Sequence, residues 1–284
     1  MKTALVFLPL FLICFCGNKK NDDIREKKTD LEKDGLRGKV KQVNVNCFYA
    51  NEKSGEIIKE KKCDDNNYSV IYNDKGEKTE LTVHSSGWRN EKRLFKYDTK
   101  GNLSELHLFD ADNKLLSKYI YNCDENGNKI ESNLYDADNN LLNRQAYKYD
   151  EKGNETEHNE YNSKNILVLK HIYKYYREGN QIESNTYSST DSFENKSLDK
   201  FDDKGNRIET NYYTTESVIE SKGTWKYDEK NNPTEENWYN QQGILNSRYI
   251  YNYVYDQKDN WIKKMEFEKD IPKRIIIREI IYFP

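Results

Sequence analysis

Four histidines, five cysteines and 49 carboxylates are the groups in this chain that could do acid–base, metal or nucleophilic chemistry. His84, His107, His158 and His171 fall at unrelated points, with no HExxH and no two-histidine, one-carboxylate spacing. No metal ligand set is read from them, and no cofactor is expected. There is no phosphate-cradling glycine loop, no GxSxG elbow and no cysteine inside a catalytic signature, so no catalytic residue is assigned. A glycosidase pair would stand out as unrepeated carboxylates in a cleft, whereas the Asp and Glu residues here recur in rows. The irregular stretch HSSGWRN (84–90) is where an enzyme's catalytic group would be sought. The DADN stretches lack the terminal bidentate glutamate of a calcium loop and are read as turns.

The elements that must position these groups follow from composition and period. Charged residues make up 33% of the chain, yet the net charge is only -3, so no electrostatic surplus points to nucleic acid. Hydrophobic residues reach 35%, but 23 Tyr, 10 Phe and 4 Trp beside 4 Pro are too many aromatics for a disordered polar chain. Gly101, Gly127, Gly153, Gly179, Gly205 and Asn231 are separated by successive steps of 26 residues, with looser members at Gly76 and Asp259. Most frames open through an aromatic followed by Asp or Asn, as at Tyr97-Asp98 and Tyr149-Asp150, and stretches such as DEKGN (150–154) are tight turns. A second polar cluster lies mid-repeat (110–114, 136–140, 162–165), so each repeat is two strands and two turns.

Charge sets an expected register. Numbered from the glycine, position five is Glu in six frames (Glu105 to Glu235) and position eighteen is basic in the same six (Lys118 to Arg248). Pairing them across the hairpin puts position four (Ile130, Ile182, Ile208, Ile262) on one face with the Leu, Tyr and Phe rows at fifteen, twenty-one and twenty-three. The expected fold is all-β: tandem 26-residue β-hairpin repeats forming one long antiparallel meander of about sixteen strands, curled apolar side inward as a spiral, open barrel or half-shell. Residues 35–75 form an N-terminal β-hairpin region and 76–258 the repeats. Residues 259–284 form a closing hairpin, whose apolar strand RIIIREIIYFP (274–284) docks because an exposed edge of that kind aggregates.

The first fifteen residues, with Lys2 before a run of about twelve apolar residues, read as a signal peptide too short to span a bilayer. The boundary Ile13-Cys14-Phe15-Cys16-Gly17 resembles the lipobox of bacterial lipoproteins, which implies lipidation of Cys16, with Cys14 as the other site and plain secretion as a third reading. Residues 16–34 are then the lipidated cysteine and a flexible polar tether, with a short helix around Leu31 as the competing reading. Of the remaining cysteines, Cys47, Cys63 and Cys123, a Cys47–Cys63 bridge is one open reading in an oxidising envelope.

The pattern YxYDxxGN, as in YKYDEKGN (147–154) and WKYDEKNN (225–232), resembles the YD repeat of Rhs and teneurin-type proteins, and the GLRGKVKQV opening (35–43) resembles small bacterial lipoproteins carrying such repeats. The resemblance implies hairpin repeats winding into a shell. It carries over neither cargo enclosure nor toxin delivery, since no self-cleaving protease or toxin segment is found. The expected function is a non-catalytic cell-envelope lipoprotein, anchored to a membrane, the outer membrane by expectation, through its N-terminal lipid. It presents a repeat surface to a protein or polysaccharide ligand, with Trp88, Trp238 and Trp261 as candidate binding side chains. Trp238 stands out because position eight carries Leu, Glu, Thr or Tyr in the other frames. The alternatives are a role in interbacterial antagonism, such as immunity, and a carbohydrate-active enzyme.

Overall fold

In the computed structural model, residues 28–84, 90–176, 180–215 and 217–284 are described. One helical turn, α1 (Asp30–Lys33), precedes nineteen strands. The first are β1 (Val40–Lys53), β2 (Glu56–Lys62), β3 (Tyr68–Tyr72), β4 (Lys78–Val83), β5 (Glu91–Tyr97), β6 (Leu103–Phe109) and β7 (Leu115–Cys123). There follow β8 (Lys129–Asp136), β9 (Leu141–Tyr149), β10 (Glu155–Asn162), β11 (Leu167–Tyr176), β12 (Gln181–Ser188) and β13 (Phe193–Phe201). The chain ends with β14 (Arg207–Tyr213), β15 (Ile219–Tyr227), β16 (Pro233–Asn240), β17 (Leu245–Tyr255), β18 (Trp261–Glu268) and β19 (Ile271–Tyr282).

From β3 onward each strand pairs antiparallel with the next, and β19 pairs in turn with β1 from Val40↔Tyr282 to Tyr49↔Arg274. β1 also pairs with β3 over Gln42–Val45 and, further along the same edge, with β2. The meander is therefore a closed barrel of eighteen strands, which corrects the spiral, open barrel or half-shell expected from the sequence. Closure removes the apolar edge of β19, the liability that made an open end costly. A circular barrel of this strand number and ordinary tilt is roughly 35 Å across between backbones, too wide for side chains to fill.

Both kinds of turn share one construction. Asp150 Oδ1 accepts from the Lys152 and Asn154 amides, Asn154 Nδ2 donates to Asp150 Oδ2, and Gly153 takes the left-handed conformation that closes the loop. The mid-repeat turns do the same with Asn113, Asn139 and Asn165 at φ near 60°. The first Asp of each DADN stretch is thus used by its own turn, Asp110 by the Asp112 and Lys114 amides and Asp136 by those of Asp138 and Asn140. The tyrosine at position twenty-three ties two strands: Tyr149, Tyr175, Tyr227 and Tyr253 each donate to the carbonyl oxygen twenty residues earlier at 2.8 Å.

The register differs from the expected one by two residues. Glu105 lies opposite Ile120 and His107 opposite Lys118, so position five does not face position eighteen. Its directly facing partner is position twenty-two on the other side: Lys96–Glu105, Lys148–Glu157, Lys174–Glu183, Lys200–Glu209 and Lys226–Glu235 are at 2.7–3.2 Å. Position eighteen still reaches the Glu diagonally in three frames, Lys222–Glu209 at 2.8 Å, Arg144–Glu131 at 3.5 Å and Arg248–Glu235 at 3.8 Å. Bulges beside both turns set this offset. A shift of two leaves every side chain on its expected face, so the inward aromatic rows at twenty-one and twenty-three survive. Position four does not. The bulge at 129–131 brings Lys129 rather than Ile130 over the Tyr121 and Tyr147 rings, and leaves Ile130 and Ile208 exposed, although Ile182 is buried.

The outer wall is a charged ladder in which Glu105 meets His107 two residues on, and Glu131, Glu157, Glu183, Glu209 and Glu235 accept there from an Asn instead, as in Asn159 Nδ2 to Glu157 at 2.5 Å. These partners hold the Glu157 carboxyl below its ordinary range. Glu157→Gln is expected to lower stability by no more than about 1 kcal/mol, less at 0.5 M salt, as measured by urea unfolding.

The dry core lies on the inner wall at the β1–β3–β19 seam, where Val43, Val45, Cys47, Val70 and Ile276 pack with Leu31 and Leu36. Residues 28–34, expected within the tether, include the short helix of the competing reading. A capping box joins Thr29 and Glu32, and Asp30 and Asp34 accept from the Tyr97 and Tyr72 hydroxyls. Asn260, fully buried, then holds Arg37 by its amide and carbonyl, so the segment straps across the Asp–Gly rim before β1 begins. Cys47 and Cys63 are bridged, and Asn67 fills the break between β2 and β3 by accepting from the Cys47 amide. The expected signal peptide, Cys14, Cys16 and Trp88 lie outside the described residues.

Candidate functional site

The two faces differ in how much they repeat. Outside, positions five, seven and twenty-two recur as Glu, Asn and Lys because they build the ladder. Inside, positions six, eight and nineteen change from frame to frame: Leu106, Ser132, His158, Ser184, Thr210, Glu236; then Leu108, Leu134, Glu160, Thr186, Tyr212, Trp238. Side chains freed from an architectural rule line the lumen, and two groups of them stand out.

The first spans β13 to β17. Trp238 stacks on Tyr212 with centroids 6.2 Å apart and an interplanar angle of 15°, and meets Trp225 edge-on at 5.5 Å. Its Nε1 donates to Glu236 Oε1 at 2.5 Å, and the other oxygen of Glu236 accepts from the Tyr251 hydroxyl at 3.0 Å. The Arg207 guanidinium lies 4.5 Å from the Trp225 ring and 3.6 Å from Asp199, a buried carboxylate standing where other frames have Tyr or Trp. Burial raises Asp199 above its ordinary value. Tyr212 remains 38% exposed, so the stack offers an open aromatic face beside a hydrogen-bonded carboxylate.

The second spans β8 to β12. His158 and His171 are directly opposite across the β10–β11 hairpin, their rings 5.1 Å apart, and Glu160 follows His158 on the same face. His171 Nε2 is 3.5 Å from Glu160 Oε1. Tyr147 stacks on His158 at 4.5 Å, and Lys129 and Glu155 lie beside them. Burial pushes the Glu155 carboxyl up to about 7 despite Lys129, and drives His158 down to about 4. Sequence reasoning missed this cluster because a separation of 2 and 13 residues matches no helical metal motif, and only hairpin register makes it adjacent.

Among the residues singled out from sequence, Trp238 is brought into the first lumen group. Trp261 is placed elsewhere, against the seam core with Arg278 stacked 3.4 Å from its ring centre. His84 and His107 belong to neither group, and His107 sits on the outer ladder against Glu105. Of the HSSGWRN stretch, 85–89 lie outside the described residues.

No family model matches this chain. No curated protein matches it either. Among solved structures it is similar to a porin-like protein from Bacteroides uniformis, at 10% identity over 85% of this chain and 96% of that one, with a TM-score of 0.45. A porin-like protein from Bacteroides vulgatus aligns at 11% identity over 87% and 99%, with a TM-score of 0.38. The TcdB2-TccC3-Cdc42 complex aligns at 11% identity over 78% of this chain and 16% of its own, with a TM-score of 0.28. At these scores function has to be read from the lumen side chains themselves.

Proposed function

We propose that this protein is a non-catalytic cell-envelope lipoprotein, anchored through Cys16, whose barrel holds a segment of glycan in its lumen. The observation that carries the reading is the Tyr212–Trp238–Trp225 cluster with Glu236 hydrogen-bonded at its edge. Sugar rings present apolar C–H faces that pack on aromatic rings, and hydroxyls that need acceptors such as carboxylates. The outward Glu–Lys ladder supports water rather than lipid around the wall, since a charge on a lipid-facing strand costs about 2–4 kcal/mol at the bilayer midplane. Attachment then falls to the N-terminal lipid. The tyrosine ties and Asp-capped turns support placing the chain among YD-type hairpin repeat proteins.

Titration of the purified chain with oligosaccharides, followed by tryptophan fluorescence, is expected to give saturable quenching, and Trp238→Ala is expected to weaken binding about tenfold or more. No saturable binding at millimolar saccharide, or an unchanged affinity in Trp238→Ala, overturns the reading. Protease shaving of intact cells with a Cys16→Ala control tests the anchor. Cell-associated repeat peptides that become soluble in the variant are expected.

A further inference from the structure

We propose that His158, His171 and Glu160 form a binding site for a single divalent transition metal of the zinc type on the inner wall of the barrel. One ligand atom from each residue lies within 4.8 Å of the others, and the described residues contain one further group of this kind, Cys47, Cys63 and Asp65, whose two sulfurs are joined to each other. The His171 Nε2 to Glu160 Oε1 distance of 3.5 Å is already close to the edge of a tetrahedron with metal–ligand bonds of about 2.0–2.1 Å. The His158 nitrogen, within 4.8 Å of both, closes on such a tetrahedron by side-chain rotation.

Two further observations point to a ligand rather than to a satisfied ion pair. His171 Nδ1 is 3.0 Å from the hydroxyl of the buried Thr186. In the proposed site Nδ1 donates to this hydroxyl, which leaves the Nε2 lone pair for the metal, the arrangement by which second-shell groups orient metal-binding imidazoles. His158 Nε2 is buried and has no hydrogen-bond partner, a costly state for a ring nitrogen that metal coordination would relieve. Tyr147 stacked on one face of His158 holds the ring in place. Two imidazoles and a carboxylate suit zinc and its neighbours rather than calcium or magnesium, and three protein ligands leave a coordination position for lumen water or a bound ligand.

The full-length mature chain, carrying no histidine tag and stripped with EDTA, is titrated with Zn2+ against a chromophoric chelator, and separately with Co2+ while visible absorption is recorded. One equivalent of Zn2+ bound with submicromolar affinity, and intense Co2+ d–d bands of a four-coordinate site, are expected. His171→Ala is expected to lower Zn2+ affinity at least about 100-fold, and Thr186→Val, which keeps the side-chain volume, about 10–100-fold. Circular dichroism of each stripped variant establishes that it is folded. Should His171→Ala unfold, Thr186→Val and Glu160→Gln carry the same test. Binding weaker than about 10 μM, or affinity unchanged in the folded variants, overturns the assignment. The site is independent of the glycan reading, because Trp238→Ala is expected to leave Zn2+ affinity as it was.

Discussion

Proline at either Asn44 or Val45 is expected to cost the barrel at least about 3 kcal/mol and to open its seam to self-association. Successive amides along a strand point to opposite neighbours. In an open sheet with β1 at its edge, one of these two amides would face solvent and its loss would be tolerated. In the closed barrel both are used, because β1 pairs with β19 through Asn44↔Glu279 and Val45↔Arg278 and with β3 through Asn44↔Ser69 and Val45↔Tyr68. Asn44 lies on the outer wall, where its side chain donates to Glu279 at 3.2 Å, so Asn44→Ala is expected to cost well under 1 kcal/mol. Val45 is buried, and Val45→Ala controls for its cavity at about 1–2 kcal/mol. A broken seam frees the edges of β1 and of the isoleucine-rich β19, so the proline variants should also self-associate in sedimentation. A monomeric proline variant with an unfolding midpoint close to that of its alanine control would mean that the seam is open in solution.

Closure is the feature the sequence could not specify. The repeat period names each strand's neighbours along the chain, since hairpin partners are local. Whether the last strand returns to the first depends on strand tilt and stagger accumulated over the whole sheet. The apolar stretch at 274–284 announced that an edge needed covering, and β1 turned out to be what covers it. Local register was legible in parity and not in detail. Counting from glycine to glycine sets the Glu row opposite position eighteen, whereas Lys148, Lys174 and Lys226 at position twenty-two face it and Arg144, Lys222 and Arg248 at position eighteen reach it only diagonally, because bulges at the turns add residues that the count does not show. Tyr147 and Tyr173 still came out on the inner face, since that depends only on odd or even position. The lumen clusters were half legible. Trp238 was visible as a break in its row. His158, Glu160 and His171 are equally breaks in theirs, but their spacing matches no helical metal motif, and among the described residues it is hairpin register that brings them together.

Glu155→Gln and His158→Gln are expected to tilt the pH dependence of stability in opposite directions, in EDTA so that no metal intervenes. Glu155 has its carboxyl pushed up to about 7 from 4.5, by burial first, with Lys129 and His171 pulling the other way. The folded state therefore binds a proton that the unfolded chain has released, and the stability that this group contributes below pH 4.5 is lost as pH rises to 7. His158 is driven down to about 4 from 6.5, by burial first and then by His171 and Lys129, against Glu160. Its contribution is present above pH 6.5 and is lost as pH falls to 4. Between pH 4.5 and 6.5 the two slopes oppose each other, so the native chain is expected to show little change from this cluster. Removing Glu155 exposes the histidine slope: relative to the native chain, Glu155→Gln gains stability as pH rises from 4.5 to 7. Removing His158 exposes the carboxylate slope, and the difference runs the other way. Full linkage for shifts of this size is about 3 kcal/mol. Both side chains are only partly shielded from lumen water, so about 1–2 kcal/mol across the window is expected. Urea unfolding of the three proteins at pH 4.5, 5.5, 6.5 and 7.5 measures the differences directly. Parallel curves would mean that the lumen wall is hydrated enough at this point to leave both groups at their ordinary values, and that the cluster is not held as tightly as its geometry requires.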